Sequence, residues 1–218
     1  MMSLNRREPR VSGAGARRVY GGVTGEERTA ERRRKLIEAG MNLFGSASSG
    51  SVRVKDVVAE AGLTERYFYE SFADLNALFG AVLGTAADEI ESRVDAAMVD
   101  APVDAFARVS IALRTTVEVL AGDRRMIRIF FVEGLGSSGR GGVHRNEILA
   151  RSAGNFSKWS APGAPSFDGS TSDARMKALA MSGAASELLI SWADGLLEVT
   201  PAELADFLVG LYWRMNLP

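Results

Sequence analysis

Residues 52–72 read VRVKDVVAEAGLTERYFYESF, and this stretch decides the fold of the chain. Apolar residues at helical spacing precede Gly62, which stands where a helix C-cap favours a residue tolerant of positive φ. Thr64 is placed to cap a second helix by accepting backbone N–H groups through its hydroxyl. Two short helices joined by so tight a turn form a helix-turn-helix, a unit that reads duplex DNA. The stretch therefore predicts double-stranded DNA as a partner.

Charge is distributed unevenly along the chain, although the net charge is only −1. Residues 1–80 carry a net charge of +3, and residues 81–218 carry a net charge of −4. The positive part contains the helix-turn-helix, as contacts with phosphates require. Residues 1–24 are predicted to form a flexible basic arm, which either has no role or reaches neighbouring phosphates or the minor groove. The run RRRK at 32–35 is either a solvated helix face or a phosphate-facing turn.

Composition excludes several classes of site. The chain has 218 residues, of which 46% are hydrophobic and 24% charged, as in a soluble protein with a sizeable core. It contains no cysteine, which excludes disulfides, cysteine-ligated zinc and thiol nucleophiles. The single histidine, His144, excludes histidine-rich metal sites and disfavours Ser-His catalysis, so we expect no metal, no cofactor and no catalytic site. His144 itself is either exposed near a loop, which we prefer, or a polar group of a pocket. Because the sequence shows neither a secretory signal nor a bilayer-spanning segment, we expect no membrane partner and a cytoplasmic location.

Helical periodicity continues along the rest of the chain, and no segment alternates like a strand. We therefore predict an all-α fold of about nine helices. Residues 25–75 are predicted to form a three-helix DNA-binding domain, and residues 76–218 a helical domain for ligand binding and dimerisation. Thr24 or Thr29 is expected to cap the first helix and Thr200 the last. Other predicted helices are those at about 102–121, capped at its end by Gly122, and at 124–133, capped at its start by Asp123.

The last two predicted helices, at about 173–194 and 201–215, are unusually apolar. The earlier one has almost no polar face, so it must be covered on most sides. Either both helices belong to the core of one subunit, or they pack against their copies as a four-helix bundle in a two-fold dimer. We prefer the homodimer, because a helix-turn-helix needs a second copy to engage two half-sites about 34–36 Å apart. The candidate interface residues are Ala185, Leu188, Leu189, Phe207 and Leu211.

Aromatic and methionine side chains recur in the predicted fourth to eighth helices. At helical spacing such residues usually indicate core packing, but they also suit an apolar pocket between helices. Methionine adapts to varied ligand shapes, and tryptophan offers one hydrogen bond to a largely apolar molecule. The candidate pocket residues are Phe106, Met126, Phe130, Trp159, Met181 and Trp192.

The sequence resembles the TetR family of bacterial transcription regulators over about residues 28–82. The matching residues are VVAEAGLT at 57–64 and YESF at 69–72, followed by Asp74, Ala77 and Leu78. The resemblance implies an N-terminal DNA-binding domain on a helical ligand-binding and dimerisation domain. It also implies that an effector enters the core and shifts the fourth helix. This shift changes the spacing of the two helix-turn-helix units in a dimer, so that they no longer match the DNA. In such a protein the recognition helix starts near Thr64, and Tyr69 contacts a backbone phosphate.

The chain departs from the family pattern at two places in this region. Arg66 and Tyr67 stand where the family often has Gly-Thr, so base contacts cannot be copied across, and Arg66 suits either a guanine or a phosphate. Leu75 stands where the family often has lysine, and Arg53, Lys55 or the basic arm would offset the missing phosphate contact. The full set of candidate DNA contacts is Arg53, Lys55, Thr64, Glu65, Arg66, Tyr67, Tyr69 and Ser71.

Three functions are open at this point. The first is a ligand-responsive regulator, in its simplest form a repressor, that binds a near-palindromic operator as a homodimer and is released by a small, largely apolar effector. The second is an architectural DNA-binding protein without an effector, which a core without a cavity would favour. The third is a helical small-molecule carrier or enzyme. Its acidic candidates, Asp88, Glu89 and Glu91, have no histidine or metal ligand at suitable spacing and are expected to form a solvated helix face.

Overall fold

The computed structural model describes residues 24–46, 52–135, 141–159 and 171–216. Within these ranges the chain forms nine α-helices and one π-helical segment and no strand, which confirms the predicted all-α fold. The predicted basic arm lies outside the described residues except for Thr24. The elements are α1 Gly25–Phe44, α2 Val54–Ala61, α3 Glu65–Ser71, α4 Leu75–Met98, α5 Ala105–Gly122, α6 Arg124–Ile127, the π segment Arg128–Gly134, α7 Gly141–Trp159, α8 Ser172–Ala193 and α9 Pro201–Asn216.

Side-chain caps fix the starts of several helices. Thr24 Oγ1 accepts from the Glu27 N–H at 3.1 Å, while the Glu27 carboxylate accepts from the Thr24 N–H, a reciprocal capping box at the start of α1. Asp123 caps α6 and Thr200 caps α9. Each cap satisfies N–H groups that the first turn of a helix leaves without a partner. The predictions for Asp123 and Thr200 are confirmed, and Thr24 rather than Thr29 caps α1.

The turn between α2 and α3 has the predicted backbone but not the predicted cap. Gly62 adopts φ 64° and ψ 35°, the left-handed conformation that ends α2. Thr64 occupies the N-cap position of α3, yet its hydroxyl accepts no hydrogen bond from the helix. The backbone alone starts α3, because the Thr64 C=O accepts from the N–H groups of Tyr67 and Phe68. The prediction of a hydroxyl cap at Thr64 is therefore wrong.

Two other predicted helices differ from the structure. α5 begins at Ala105 rather than at Pro102, because the Asp104 carboxylate accepts from the Ala107 N–H at 2.8 Å and caps the helix there. The predicted helix at 124–133 divides into α6 and the π segment. Single π-helical turns of this kind occur often at functional sites.

A continuous hydrophobic core joins the helix-turn-helix to the later helices. Leu36, Phe44, Phe68, Leu78 and Phe79 are fully buried in it. The rings of Phe44 and Phe79 meet edge to face with centroids 5.2 Å apart, which fixes α1 against the first turns of α4. α4 then packs along α5, and α5 packs along α9. None of the described helices combines the length and the apolarity that crossing a bilayer requires.

Candidate functional site

The helix α3 presents its outer face to solvent while its inner face packs into the core. Thr64, Glu65 and Arg66 are exposed, and the Tyr69 side chain is also largely exposed at 58%. Phe68, on the inner face of α3, is fully buried and anchors the helix in the core. A recognition helix that enters the major groove has such an exposed N-terminal turn, while its inner face is buried in the protein.

Two arginines of α1 contact α3 and the residue that follows it. The Arg32 guanidinium lies 4.5 Å from the centre of the Tyr67 ring, and that of Arg33 lies 4.2 Å from the centre of the Phe72 ring. Arg33 Nη1 also donates to the Ser71 C=O at 3.0 Å. Cation–π contacts of this kind stabilise exposed sites by about 0.5–1 kcal/mol each. Half of the basic run therefore holds α3 against α1.

The remaining basic residues and most of the predicted DNA contacts are accessible. Arg34 and Lys35, the other half of the run, are exposed. Arg66 Nε lies 2.9 Å from Glu70 Oε1, an exposed pair worth at most about 1 kcal/mol, so Arg66 can exchange it for a nucleic-acid contact. Tyr67 and Ser71 are half-buried. The exposed members of the predicted set are Arg53, Lys55, Thr64, Glu65, Arg66 and Tyr69.

A cavity of about 310 Å³ lies among α4, α5, the π segment, α7 and α8. Small-molecule pockets span roughly 300–1,000 Å³ and combine apolar walls with a few polar groups. The apolar lining consists of Leu83, Ala87, Ile90, Leu113, Leu120, Phe130, Phe131, Leu135, Ile148, Leu149, Phe156 and Trp159, with Gly80 and Gly84 between them. The polar lining consists of Thr116, His144, Glu147, Arg151, Ser152, Asn155 and Ser182.

The structure divides the predicted pocket residues between the cavity and other surroundings. Phe130 and Trp159 line the cavity. Phe106 lies away from it, 57% exposed and stacked on the Trp213 ring of α9 with centroids 5.6 Å apart. The assignment of Phe106 to the pocket is corrected, because the α5 face that carries it turns towards α9.

Three further predicted pocket residues belong to the core. Met126 and Met181 are buried but do not line the cavity. Trp192 is also buried, and its indole is fixed because Nε1 donates to the Val199 C=O at 2.9 Å and Arg124 lies 4.4 Å from its ring centre. These assignments are corrected as well, since helical periodicity marks a buried side chain without showing whether it faces a neighbour or an empty space.

Small residues on α4 create the space, and sequence reasoning missed them. Gly80, Gly84 and Ala87 line the cavity from one face of α4, at the spacing of helix neighbours. Apart from its chain neighbours and the backbone of its own helix, no described heavy atom lies within 4 Å of the place that a Cβ of Gly84 would occupy. This stripe of small residues, beside the bulky Leu83 and Ile90, was the available signal for a space next to the helix.

His144 lies at the cavity, the second of the two positions that the sequence left open, rather than in the preferred exposed position. Its side chain is 13% exposed, and its ring approaches the Phe79 ring edge-on with centroids 5.6 Å apart. Its Cε1 lies 3.0 Å from the place that a Cβ of Gly80 would occupy. The preferred exposed position is wrong because Gly80, on a different helix, leaves room for the imidazole.

A row of polar contacts joins α7 to α4 beside the cavity. Arg151 donates to Asp88 at 2.6 Å and also to Glu91, and Asn155 Nδ2 donates to Glu91 Oε1 at 2.6 Å. One turn further along both helices, Asp95 accepts from Lys158 at 2.6 Å. The expected solvated acidic face of α4 is thus a docking face for α7, and only Glu89 pairs within its own helix.

The contact between α4 and α7 should weaken in acid. The hydrogen bond from Arg151 holds the pKa of Glu91 below its ordinary value of 4.5. A carboxyl whose pKa is lowered by folding contributes stability above its unfolded pKa and loses it as the pH falls through the folded value. We therefore expect Glu91→Gln to lower the melting temperature most near about pH 7, and the difference from wild type to shrink below about pH 4.

Glu89→Gln is the matched control for this titration, because among the described residues Glu89 pairs with Arg93 of its own helix and not with α7. Its melting temperature should follow the wild type closely at every pH. A difference between wild type and Glu91→Gln that stays constant down to about pH 3 would show that the carboxylate charge does not stabilise the contact.

Arg125 connects the cavity wall to the helix-turn-helix. Its Nη1 donates to Glu38 Oε1 of α1 at 2.8 Å and to Asn42 Oδ1, and its Nε donates to Asp123 at 2.9 Å. Asn42 Nδ2 in turn donates to Glu60 Oε1 of α2 at 3.0 Å. Because the π segment continues directly from α6, this cluster joins the cavity wall to α1 and α2.

The predicted interface residues fall into three environments. Phe207 is 52% exposed, and Leu189 is 2% exposed within the core of its own chain. The assignment of Leu189 to a subunit contact is corrected, because no face of it is left for a partner. Met176 and Leu179 of α8 are exposed apolar side chains that the prediction omitted. The partly buried members are Ala185, Leu188 and Leu211.

Comparison with solved structures identifies the fold. FadR, a fatty acid degradation regulator from Bacillus halodurans, superposes with a TM-score of 0.67 at 14% identity, over 82% of this chain and 96% of that one. FadR from Bacillus subtilis, solved with stearoyl-CoA, gives 0.64 at 15% identity, over 82% and 96%.

A TetR-like transcriptional regulator from a Rhodococcus species gives a TM-score of 0.60 at 17% identity, over 84% of this chain and 94% of that one. No family model matches the sequence, and no curated protein matches it either. The chain therefore has the all-helical fold of TetR-like transcriptional regulators.

Proposed function

We propose that the protein is a ligand-responsive transcriptional regulator. It binds a near-palindromic DNA operator as a homodimer, and a small, largely apolar effector in the cavity releases it. The observation that carries the proposal is the course of α4. This helix starts at Leu75, directly after the recognition helix ends at Ser71, and its residues 80–90 line the cavity. A repressor is the simplest form of such a regulator.

α4 provides the mechanical link between effector and DNA. A ligand shifts a conformational equilibrium only by as much as it prefers one conformation over the other. A molecule that fits the cavity best with α4 displaced would move the start of the helix and the attached α3. The Arg125 cluster gives a second route, from the π segment to α1 and α2. In a dimer either movement changes the separation of two recognition helices that must match half-sites about 34–36 Å apart.

Three observations support this function over the alternatives. An architectural DNA-binding protein has no need for a cavity bordered by the helix that follows its DNA reader. FadR from Bacillus subtilis, which has the same fold, was solved with stearoyl-CoA, so a protein of this architecture does bind a ligand that is not DNA. Of the acidic residues that an enzyme would use, Asp88 and Glu91 are engaged in holding α7 on α4, and Glu89 pairs with Arg93 of its own helix.

Selection of bound duplexes from a random pool, followed by titration in increasing salt, tests the proposal. We expect enrichment of a near-palindromic sequence, with the logarithm of the binding constant falling linearly with the logarithm of the salt concentration. Apolar compounds are then screened for release of the selected duplex. Failure to enrich any sequence, or affinity indifferent to salt, would contradict the proposed function.

Two substitutions on α3 should separate base reading from phosphate binding. We expect Arg66→Ala to relax preference at one base position, at a cost of about 1–3 kcal/mol on the best operator. Tyr69→Phe removes one exposed hydroxyl and should weaken all sequences alike, by about 1 kcal/mol. Fluorescence anisotropy on the selected duplex and its single-base variants measures both. If the two variants change every duplex by equal factors, this division of roles is wrong.

A further inference from the structure

We infer that the cavity takes a compact, uncharged, largely apolar molecule that donates one hydrogen bond from a hydroxyl group to Nε2 of His144. This inference rests on the proposed function, because it names the chemical class of the effector. The binding itself, however, can be measured without DNA, so that the two ideas can fail separately.

The surroundings of His144 determine which of its nitrogens can accept. Nδ1 lies 3.1 Å from Glu147 Oε2. An ionised carboxylate only accepts hydrogen bonds, so Nδ1 carries the hydrogen and donates to it. In the neutral imidazole the other nitrogen, Nε2, then has a free lone pair and acts as an acceptor. Glu147 thus positions His144 with its acceptor directed away from the carboxylate.

Nε2 of His144 is buried and has no hydrogen-bond partner among the residues that the structure describes. Buried polar atoms are nearly always paired, because an unpaired one loses its hydration without replacement. The residue lines the cavity, so a bound molecule can supply the missing donor. A hydroxyl group is the simplest uncharged donor that an otherwise apolar molecule can bring.

The contacts around the imidazole also fix the direction in which its Nε2 accepts a hydrogen bond. Phe79 meets it edge-on, and Gly80 of α4 approaches it so closely that an added Cβ would lie 3.0 Å from Cε1 and 3.6 Å from Nε2. A polar group whose orientation is fixed before binding loses little conformational freedom when the ligand arrives. A ligand bonded to Nε2 would therefore also lie against the part of α4 that follows the recognition helix.

Size and charge restrict the rest of the molecule. The cavity volume of about 310 Å³ is at the lower end of the range for small-molecule pockets. Among the lining residues whose side chains are described, Arg151 is the one permanent cation, and it already pairs with Asp88 and Glu91. A nucleotide-linked acyl chain such as stearoyl-CoA carries phosphates that these residues leave without a partner. A compact neutral molecule suits both the volume and the charges.

Isothermal titration calorimetry on the full chain without DNA tests the inference with β-naphthol, its methyl ether and β-naphthoic acid. These probes share one ring system and differ in the group offered to Nε2. We expect β-naphthol to bind about tenfold more tightly than the ether, which cannot donate. We also expect it to bind more tightly than the acid, whose charge has no free cation to meet.

Two cavity variants identify the residue responsible for this preference. The variants His144→Phe and His144→Leu should each bind β-naphthol and its ether with equal affinity, because neither variant has the Nε2 acceptor. Thr116→Val is the matched control, since the Thr116 hydroxyl lines the same cavity but already donates to the Ala112 C=O at 2.8 Å. This variant should keep the tenfold preference. Melting temperatures near the wild-type value establish that each variant is folded.

Several results would overturn the inference. They are absence of binding by β-naphthol, equal binding of alcohol and ether by the wild type, tighter binding of the acid, or a preference that survives in both folded His144 variants. Binding of β-naphthol through His144 without any effect on a selected duplex would contradict the proposed function alone. Release of that duplex by compounds whose binding ignores His144 would contradict this inference alone.

Discussion

Phe207→Asp should convert the proposed homodimer to monomers and weaken operator binding by roughly a hundredfold or more. Phe207 is the exposed large apolar side chain of α9, and α8 contributes Met176 and Leu179 as further exposed apolar residues. A carboxylate at this position would be desolvated in the interface, and its copy on the partner would add like-charge repulsion across the two-fold axis. Sedimentation velocity measures the assembly state, and fluorescence anisotropy measures the affinity for the selected duplex.

Val103→Asp is the matched control, because Val103 is 81% exposed in the connection between α4 and α5. It introduces the same charge at an exposed apolar position outside α8 and α9, and it should leave both assembly and affinity unchanged. A Phe207→Asp protein that stays dimeric would place the subunit contact elsewhere. If Phe207→Asp is monomeric but keeps full operator affinity, operator binding does not require a dimer.

Gly45→Ala should destabilise the protein by about 1–3 kcal/mol. A Cβ at this position would lie 2.5 Å from Cβ and 2.9 Å from Cα of Arg125, and 2.8 Å from the Met41 C=O oxygen. Two of these neighbours are backbone atoms, so α1 and α6 would have to separate. That separation would strain the hydrogen bond from Arg125 to Asn42. Urea denaturation followed by circular dichroism measures the change in the free energy of unfolding.

Gly154→Ala makes the same chemical change, but we expect it to raise the free energy of unfolding rather than lower it. Gly154 lies within α7, and no described heavy atom beyond its chain neighbours and the backbone of α7 lies within 4 Å of the place that its Cβ would occupy. Alanine is the better helix former, so this variant should gain about 0.5–1 kcal/mol. If the two variants change stability by the same amount and sign, the close contact between α1 and α6 is not what constrains Gly45.

The helix-turn-helix and most helix bounds could be predicted because their causes are local. Gly62 permits the left-handed turn, and Asp123 and Thr200 cap the helices that follow them. Thr64 shows the limit even here, since its hydroxyl was expected to cap α3 and the backbone does so alone. The π segment had no distinguishing signal, because its residues are equally compatible with an α-helix.

The cavity was harder to predict because it depends on contacts between distant parts of the chain. Phe106 and Trp192 have the size and apolarity of pocket residues, but one stacks on α9 and the other is fixed in the core. Conversely, His144 is brought to the cavity by the absence of a side chain at Gly80. Residue type and helical period indicate burial, whereas the neighbour across the interface decides whether a side chain meets protein or empty space.

A reciprocal titration tests most directly whether the cavity and α3, the proposed DNA-reading helix, are coupled. The affinity of β-naphthol, or of the tightest-binding hydroxylated probe, is measured with and without saturating selected duplex. Coupling between two sites is mutual, so the duplex should weaken probe binding by the same factor by which the probe weakens duplex binding. Identical probe affinities with and without duplex would contradict the proposal that effector binding at α4 controls release from DNA.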